Sequence, residues 1–97
     1  MAFVVIAKWT AKEGEESAVA EAVSKLAGPS RQEPGNRLYL VHRDPNDTRV
    51  FFFYEQYRDE AGYEAHTASE HFRRYGVGEA LPRMESRERK FYETWDV

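Results

Sequence analysis

Arg49 to Tyr57 reads RVFFFYEQY, and no other segment of the 97-residue chain is as apolar. Aromatics this dense favour a strand. Alternation puts Phe51, Phe53, Glu55 and Tyr57 on one face and Val50, Phe52, Tyr54 and Gln56 on the other. A strand apolar on both faces needs two covers. In a chain this short, one cover is its own helices, and a second subunit is the natural source of the other.

The flanking sequence supplies a sheet and two helices. Phe3 to Trp9 alternates as a first strand. Thr10 and Glu13 have capping-box spacing, so a helix is expected from about Glu13 to Leu26. Its apolar stripe is Val19, Val23 and Leu26, and Gly28, Pro29 and Ser30 are expected to stop it. Asn36 to Arg43 reads as strand two. The run Asp44-Pro45-Asn46-Asp47-Thr48 then turns the chain into the aromatic strand, making a hairpin. Asp59 can cap a second helix over roughly Glu60 to Ala68, with Ala61, Ala65, Ala68 and Phe72 on its apolar face and Gly62, His66 and Ser69 flanking them. Residues 73–80 are ambiguous between helix and interruption, Pro82 ends the segment, and Met84 to Trp95 reads as the last strand. The order β-α-β-β-α-β is the ferredoxin-like pattern. It predicts one α+β domain over residues 1–97, with a four-stranded antiparallel sheet and both helices on one face. The helix-free face is expected to be covered by a second copy, giving a two-fold homodimer.

Composition narrows the function classes. Formal net charge is −3, which gives no footprint for nucleic acid. There is no Cys, hence no disulfide framework, thiol nucleophile or Cys-based metal site. The N-terminal MAFVVIAKWT lacks the basic region and cleavage site of a signal peptide, and no run has membrane-spanning length, so a cytoplasmic protein without a membrane partner is expected.

Several motifs resemble the antibiotic biosynthesis monooxygenase (ABM) domain family: the run from Glu33 through Pro34, Gly35 and Asn36 to Tyr39; His42 to Pro45; Phe53 to Tyr57; Asp59 to Ala61; and Ala65-His66, Ser69 and His71-Phe72. The resemblance implies a ferredoxin-like monomer that pairs into a dimeric α/β barrel. The family includes cofactor-independent quinol and polyketide oxygenases, haem-degrading enzymes and proteins that process a quorum-sensing signal. The haem branch fits poorly. Ile6-Ala7-Lys8 lacks that branch's strand-one Asn, its iron-ligand region falls near Tyr75-Gly76, and its helix-two Trp falls at His66. His66 and His71 are five residues apart, which is not a same-face helical pair, so no cofactor and no metal are expected.

Three residues are candidates for catalysis. His66, beside the apolar face of helix two, can accept a phenolic proton. A structural boundary histidine is the competing reading. His71 resembles the second histidine of the family's His-x-x-x-x-His segment, and it equally suits a helix terminus. Glu55 interrupts the aromatic strand and must be paired, protonated or near water. Asn36, Tyr39, Phe53, Tyr57, Phe72 and Tyr75 are candidate pocket residues for a flat, oxygenated aromatic substrate, although most of them also serve as core or interface residues.

The leading expectation is a cofactor-independent monooxygenase acting on a quinol or polycyclic phenol with molecular oxygen. The alternatives are an isomerase- or lyase-like enzyme for a small oxygenated carbonyl compound, and a non-catalytic dimeric binding protein.

Overall fold

The aromatic strand lies inside the sheet. The computed structural model describes residues 1–97. In chain order the elements are β1 (Phe3–Ala11), α1 (Glu16–Arg31), β2 (Asn36–Asp44), β3 (Asp47–Tyr57), α2 (Glu60–Ala68), a π-helical segment (Phe72–Ala80), a 3-10 turn (Leu81–Arg83) and β4 (Met84–Glu93). The sheet order is β2-β3-β1-β4, with every neighbouring pair antiparallel. This is the ferredoxin-like topology read from the sequence.

Register sorts the side chains as alternation predicts. Val5 lies opposite Glu55, Ala7 opposite Phe53 and Trp9 opposite Phe51 across β1 and β3. Tyr39 faces Glu55, and Val41 faces Phe53, across β2 and β3. This face carries the core, where Val19, Val23 and Leu26 of α1 pack with Trp9, Tyr39, Phe51 and Phe53. The Trp9 and Phe53 rings lie 4.5 Å apart between centroids. On the other face Leu38, Leu40 and Phe52 are exposed, and no helix covers them. No helix is long and apolar enough to cross a membrane.

The elements differ from the sequence reading in their ends and in one helix face. The first helix starts at Glu16 rather than Glu13, and Thr10 is a strand residue without a capping role. Pairing of β1 with β4 runs as far as Ala11 opposite Met84, and Gly14 at φ 86° then turns the chain. The helix also passes through Gly28 and Pro29 to Arg31. Proline costs a helix its own N–H bond and crowds the preceding turn. Here Ser30 Oγ donates to the Leu26 carbonyl at 2.8 Å, and Ser30 is fully buried, so tertiary packing carries the last turn past the breaker. In α2 the inward stripe is Gly62 and His66, while Ala61, Ala65 and Ala68 point outward. Alanine is too small to fix a helix face when a ring three or four residues away can pack on Tyr57. Finally, β4 ends at Glu93, leaving Trp95 outside the sheet and 82% exposed.

Candidate active site

The second helix is built to present His66. Asp59 Oδ1 accepts the Gly62 N–H at 2.9 Å, fixing the helix start. Gly62 packs against Gly35 so closely that a Cβ on Gly35 would lie 2.8 Å from the Gly62 Cα. The Arg58 N–H also donates to the Gly35 carbonyl at 2.8 Å. These contacts press the loop before β2, which carries Glu33, against the start of α2.

The helix ends at Ser69, whose extended backbone (φ −69°, ψ 155°) breaks the spiral, while its hydroxyl donates to the His66 carbonyl at 2.6 Å. In an unbroken helix, positions five apart diverge by about 140° around the axis. Because of the break, both histidines meet one carboxylate oxygen. His66 Nδ1 is 2.8 Å from Glu33 Oε2, and His71 Nε2 contacts the same oxygen more closely. The His66 side chain is 2% exposed and that of Glu33 is 10% exposed.

This contact fixes the chemistry of His66. An ionised carboxylate only accepts hydrogen bonds, so His66 donates Nδ1–H to Glu33. A neutral imidazole then keeps Nε2 as its acceptor. Nε2 lies 4.0 Å from Glu55 Oε1. Glu55 Oε1 in turn accepts the Tyr57 hydroxyl at 2.6 Å. Burial holds the Glu55 carboxyl above its ordinary value, against the opposing effects of the Tyr57 hydrogen bond and nearby His66. Burial, with Glu55 adding to it, pushes the Tyr39 and Tyr57 phenols far up, so both remain O–H groups at any physiological pH.

A cavity of about 250 Å³ opens beside this cluster. His66, Glu55, Tyr39 and Phe72 line it, joined by Trp9 and Tyr63. Arg87 and Arg89 of β4 form another wall. Of the residues singled out in the sequence, Tyr39, Glu55, His66 and Phe72 converge on the cavity. His71 stands behind His66 on Glu33. Phe53 and Tyr57 are fully buried and do not line the cavity, though Tyr57 reaches it through Glu55. Asn36 begins β2 opposite Tyr57, with its buried Nδ2 lacking a partner. Tyr75 packs at the edge of the α1 core, near Lys25 and Arg74.

Sequence reasoning missed Glu33, Tyr63, Arg87 and Arg89 as site residues. Glu33 precedes Pro34-Gly35 and looks like a solvated loop residue, and its only signal is its place at the start of a family-like run. The arginines have a signal in their alternation with Phe91, but charged residues on an edge strand are ordinarily solvated surface.

Glu33, His66 and His71 are also the one trio whose donor atoms lie close enough to consider a cation, within 4.8 Å of one another. Their present packing is hydrogen-bonded. Donors about 2.0–2.1 Å from a tetrahedral ion stand more than about 3 Å apart, and Glu33 Oε2 is closer than that to both imidazoles. An ion would need the carboxylate to swing away.

The family profile described as antibiotic biosynthesis monooxygenase matches residues 2–76. The chain belongs to the antibiotic biosynthesis monooxygenase family. Solved structures agree with this assignment. Protein PA3566 of Pseudomonas aeruginosa superposes with a TM-score of 0.88 at 33% identity, covering 98% of this chain and 95% of that one. A crystal structure of an antibiotic biosynthesis monooxygenase gives 0.90 at 25% identity, over 97% and 99% of the two chains. Protein SO0527 of Shewanella oneidensis gives 0.85 at 26%, over 94% and 88%. No curated protein matches in sequence. In this member of the family, the Glu33–His66 contact lies beside the cavity.

Proposed function

We propose that this family member is a cofactor-independent monooxygenase that oxidises a small quinol or phenol with molecular oxygen. The observation that carries this reading is the orientation of His66, held through Nδ1 by a buried carboxylate while Nε2 stays beside Glu55 at an aromatic-lined cavity. A histidine held in one tautomer by a carboxylate is a pre-set general base. Monooxygenase names among similar solved proteins give the reading further support.

His66 Nε2 takes the phenolic proton, and the resulting anion is electron-rich enough to pass an electron to oxygen. Recombination forms a carbon–oxygen bond. Loss of water then leaves one oxygen atom in the quinone product, and the other departs with two substrate hydrogens. The chain supplies deprotonation, a partly dry enclosure and O–H donors such as Tyr39 toward developing negative charge. A cavity of about 250 Å³ lies below the usual range for drug-sized ligands, which favours a one- or two-ring substrate over a larger polycycle.

The test is oxygen uptake with a panel of hydroquinones. His66→Ala is expected to lower kcat by about 10²–10⁴-fold, the usual worth of a positioned base, while substrate still binds. Unchanged oxygen consumption in that variant would refute the role. Product formed at full rate without oxygen would favour an isomerase or lyase on the same residues.

A further inference from the structure

The helix layer leaves β4 uncovered, since every residue of that strand after Met84 is exposed. Its inward positions are set by register. Arg87 lies opposite Trp9, Arg89 opposite Ala7 and Phe91 opposite Val5, all on the helix side of the sheet. Both arginines therefore stand on the wall of the cavity that contains Glu55 and His66.

Neither guanidinium forms a close ion pair, although the charge of Arg89 reaches Glu55 across the cavity. Arg49, Arg58 and Arg83 each form an ion pair with a carboxylate, but no carboxylate lies within 4.0 Å of Arg87 or Arg89. Arg89 is nevertheless positioned. Its Nη1 donates to the Tyr63 hydroxyl at 2.9 Å, and its guanidinium sits 4.9 Å from the Phe91 ring centroid. The Arg87 side chain makes no hydrogen bond within the protein. The match to the family profile ends at residue 76, so this wall lies outside the matched residues.

Two cations two residues apart on a strand point the same way and can grip one planar or tetrahedral oxyanion. We propose that Arg87 and Arg89 form an oxyanion subsite, so that the substrate of this cavity carries a carboxylate or phosphate group beyond the ring or enol that His66 deprotonates. The inference takes from the proposed function only that the cavity is the substrate site, and it does not depend on oxygen chemistry. The subsite would orient the reacting hydroxyl toward His66 by holding the far end of a short molecule. Neutral quinols would lack that anchor.

The experiment is calorimetric binding to the full chain of three single-ring probes: 4-hydroxybenzoate, phenyl phosphate and the neutral 4-hydroxybenzyl alcohol. Expected is at least ~10-fold tighter binding of one anionic probe than of the neutral one, with the preference weakening as salt is added. Comparing carboxylate with phosphate identifies the oxyanion. The double variant Arg87→Gln/Arg89→Gln, at exposed positions, should bring anionic and neutral probes to within about twofold, with the loss falling on the anionic probes. Equal affinity of all three probes for the wild type, no binding of any, or a preference surviving the double substitution would each overturn the subsite. His66→Ala separates the two readings. If oxygen uptake is absent in the wild type but the anionic preference persists and survives His66→Ala, the oxygenase reading falls and the subsite stands.

Discussion

Glu55 is the residue whose environment most contradicts its chemistry. It is a carboxyl on the core face of β3, 5% exposed, among Tyr57, His66, Glu33, Tyr39 and Arg89. Its native state holds a proton more tightly than the unfolded chain does. Over the interval between the two values the native protein therefore binds more protons, and stability falls as pH rises. The window opens at the ordinary carboxylate value of 4.5 and extends upward. Glu55→Gln removes the titration, and its amide oxygen can still accept the Tyr57 hydroxyl. The variant is expected to match the wild type near about pH 4 and to exceed it in Tm by a margin that grows as pH rises toward about 8. Thermal melts across that range check the sign, and a gap that narrows with rising pH would contradict the reading. Glu55 was legible as an anomaly in the sequence because a lone acid interrupts an aromatic run. Its partner His66 was legible as a candidate. Glu33, which sets the state of His66, was not, because contact across 33 positions leaves no local pattern.

At the scale of elements, the site depends on where two backbones touch. Gly35 and Gly62 cross without room for a side chain, and the crossing seats the Glu33 loop on α2. Gly35→Ala is expected to cost about 2 kcal/mol or more, since the obstructing atom is main chain and cannot rotate away. Urea unfolding measures this, and a midpoint within error of the wild type would show that the loop can shift freely. The strands were readable because the aromatic alternation of β3 is strong and the hairpin residues between Asp44 and Asp47 are distinctive. The helices were less so. Pro29 looked like a stop, but a buried Ser30 holds the turn beyond it. The alanines of α2 looked like an inner face, but the ring of His66 takes that side. The spacing of His66 and His71 argues against convergence in an unbroken helix, but Ser69 breaks the helix between them.

For the whole molecule, the open face of the sheet is the dominant feature. Leu38, Leu40 and Phe52 are 37%, 44% and 36% exposed on one side of the hairpin, and Tyr92 of β4 is 52% exposed on the same face. Sheets of this kind pack face to face about 10 Å apart, and a stable pair buries on the order of 1,200–2,000 Å². We expect a homodimer across this face at about 10 μM protein, with Phe52→Glu shifting sedimentation to the monomer by placing an unpaired carboxylate in the buried face. A wild-type chain that sediments as a monomer at that concentration would refute the pairing. The two-sided apolar character of β3 made this face visible from sequence alone, because alternation reports exposure whatever the partner.

The proposed base and the carboxylate beside it come from opposite halves of the β-α-β-β-α-β chain: Glu33 follows the first helix, His66 belongs to the second, and His71 follows it. No contiguous fragment short of residues 33–71 contains all three. Deprotonation would therefore switch on only after the two halves have docked, so a turnover assay would double as a gauge of completed assembly, insensitive to either half folded alone.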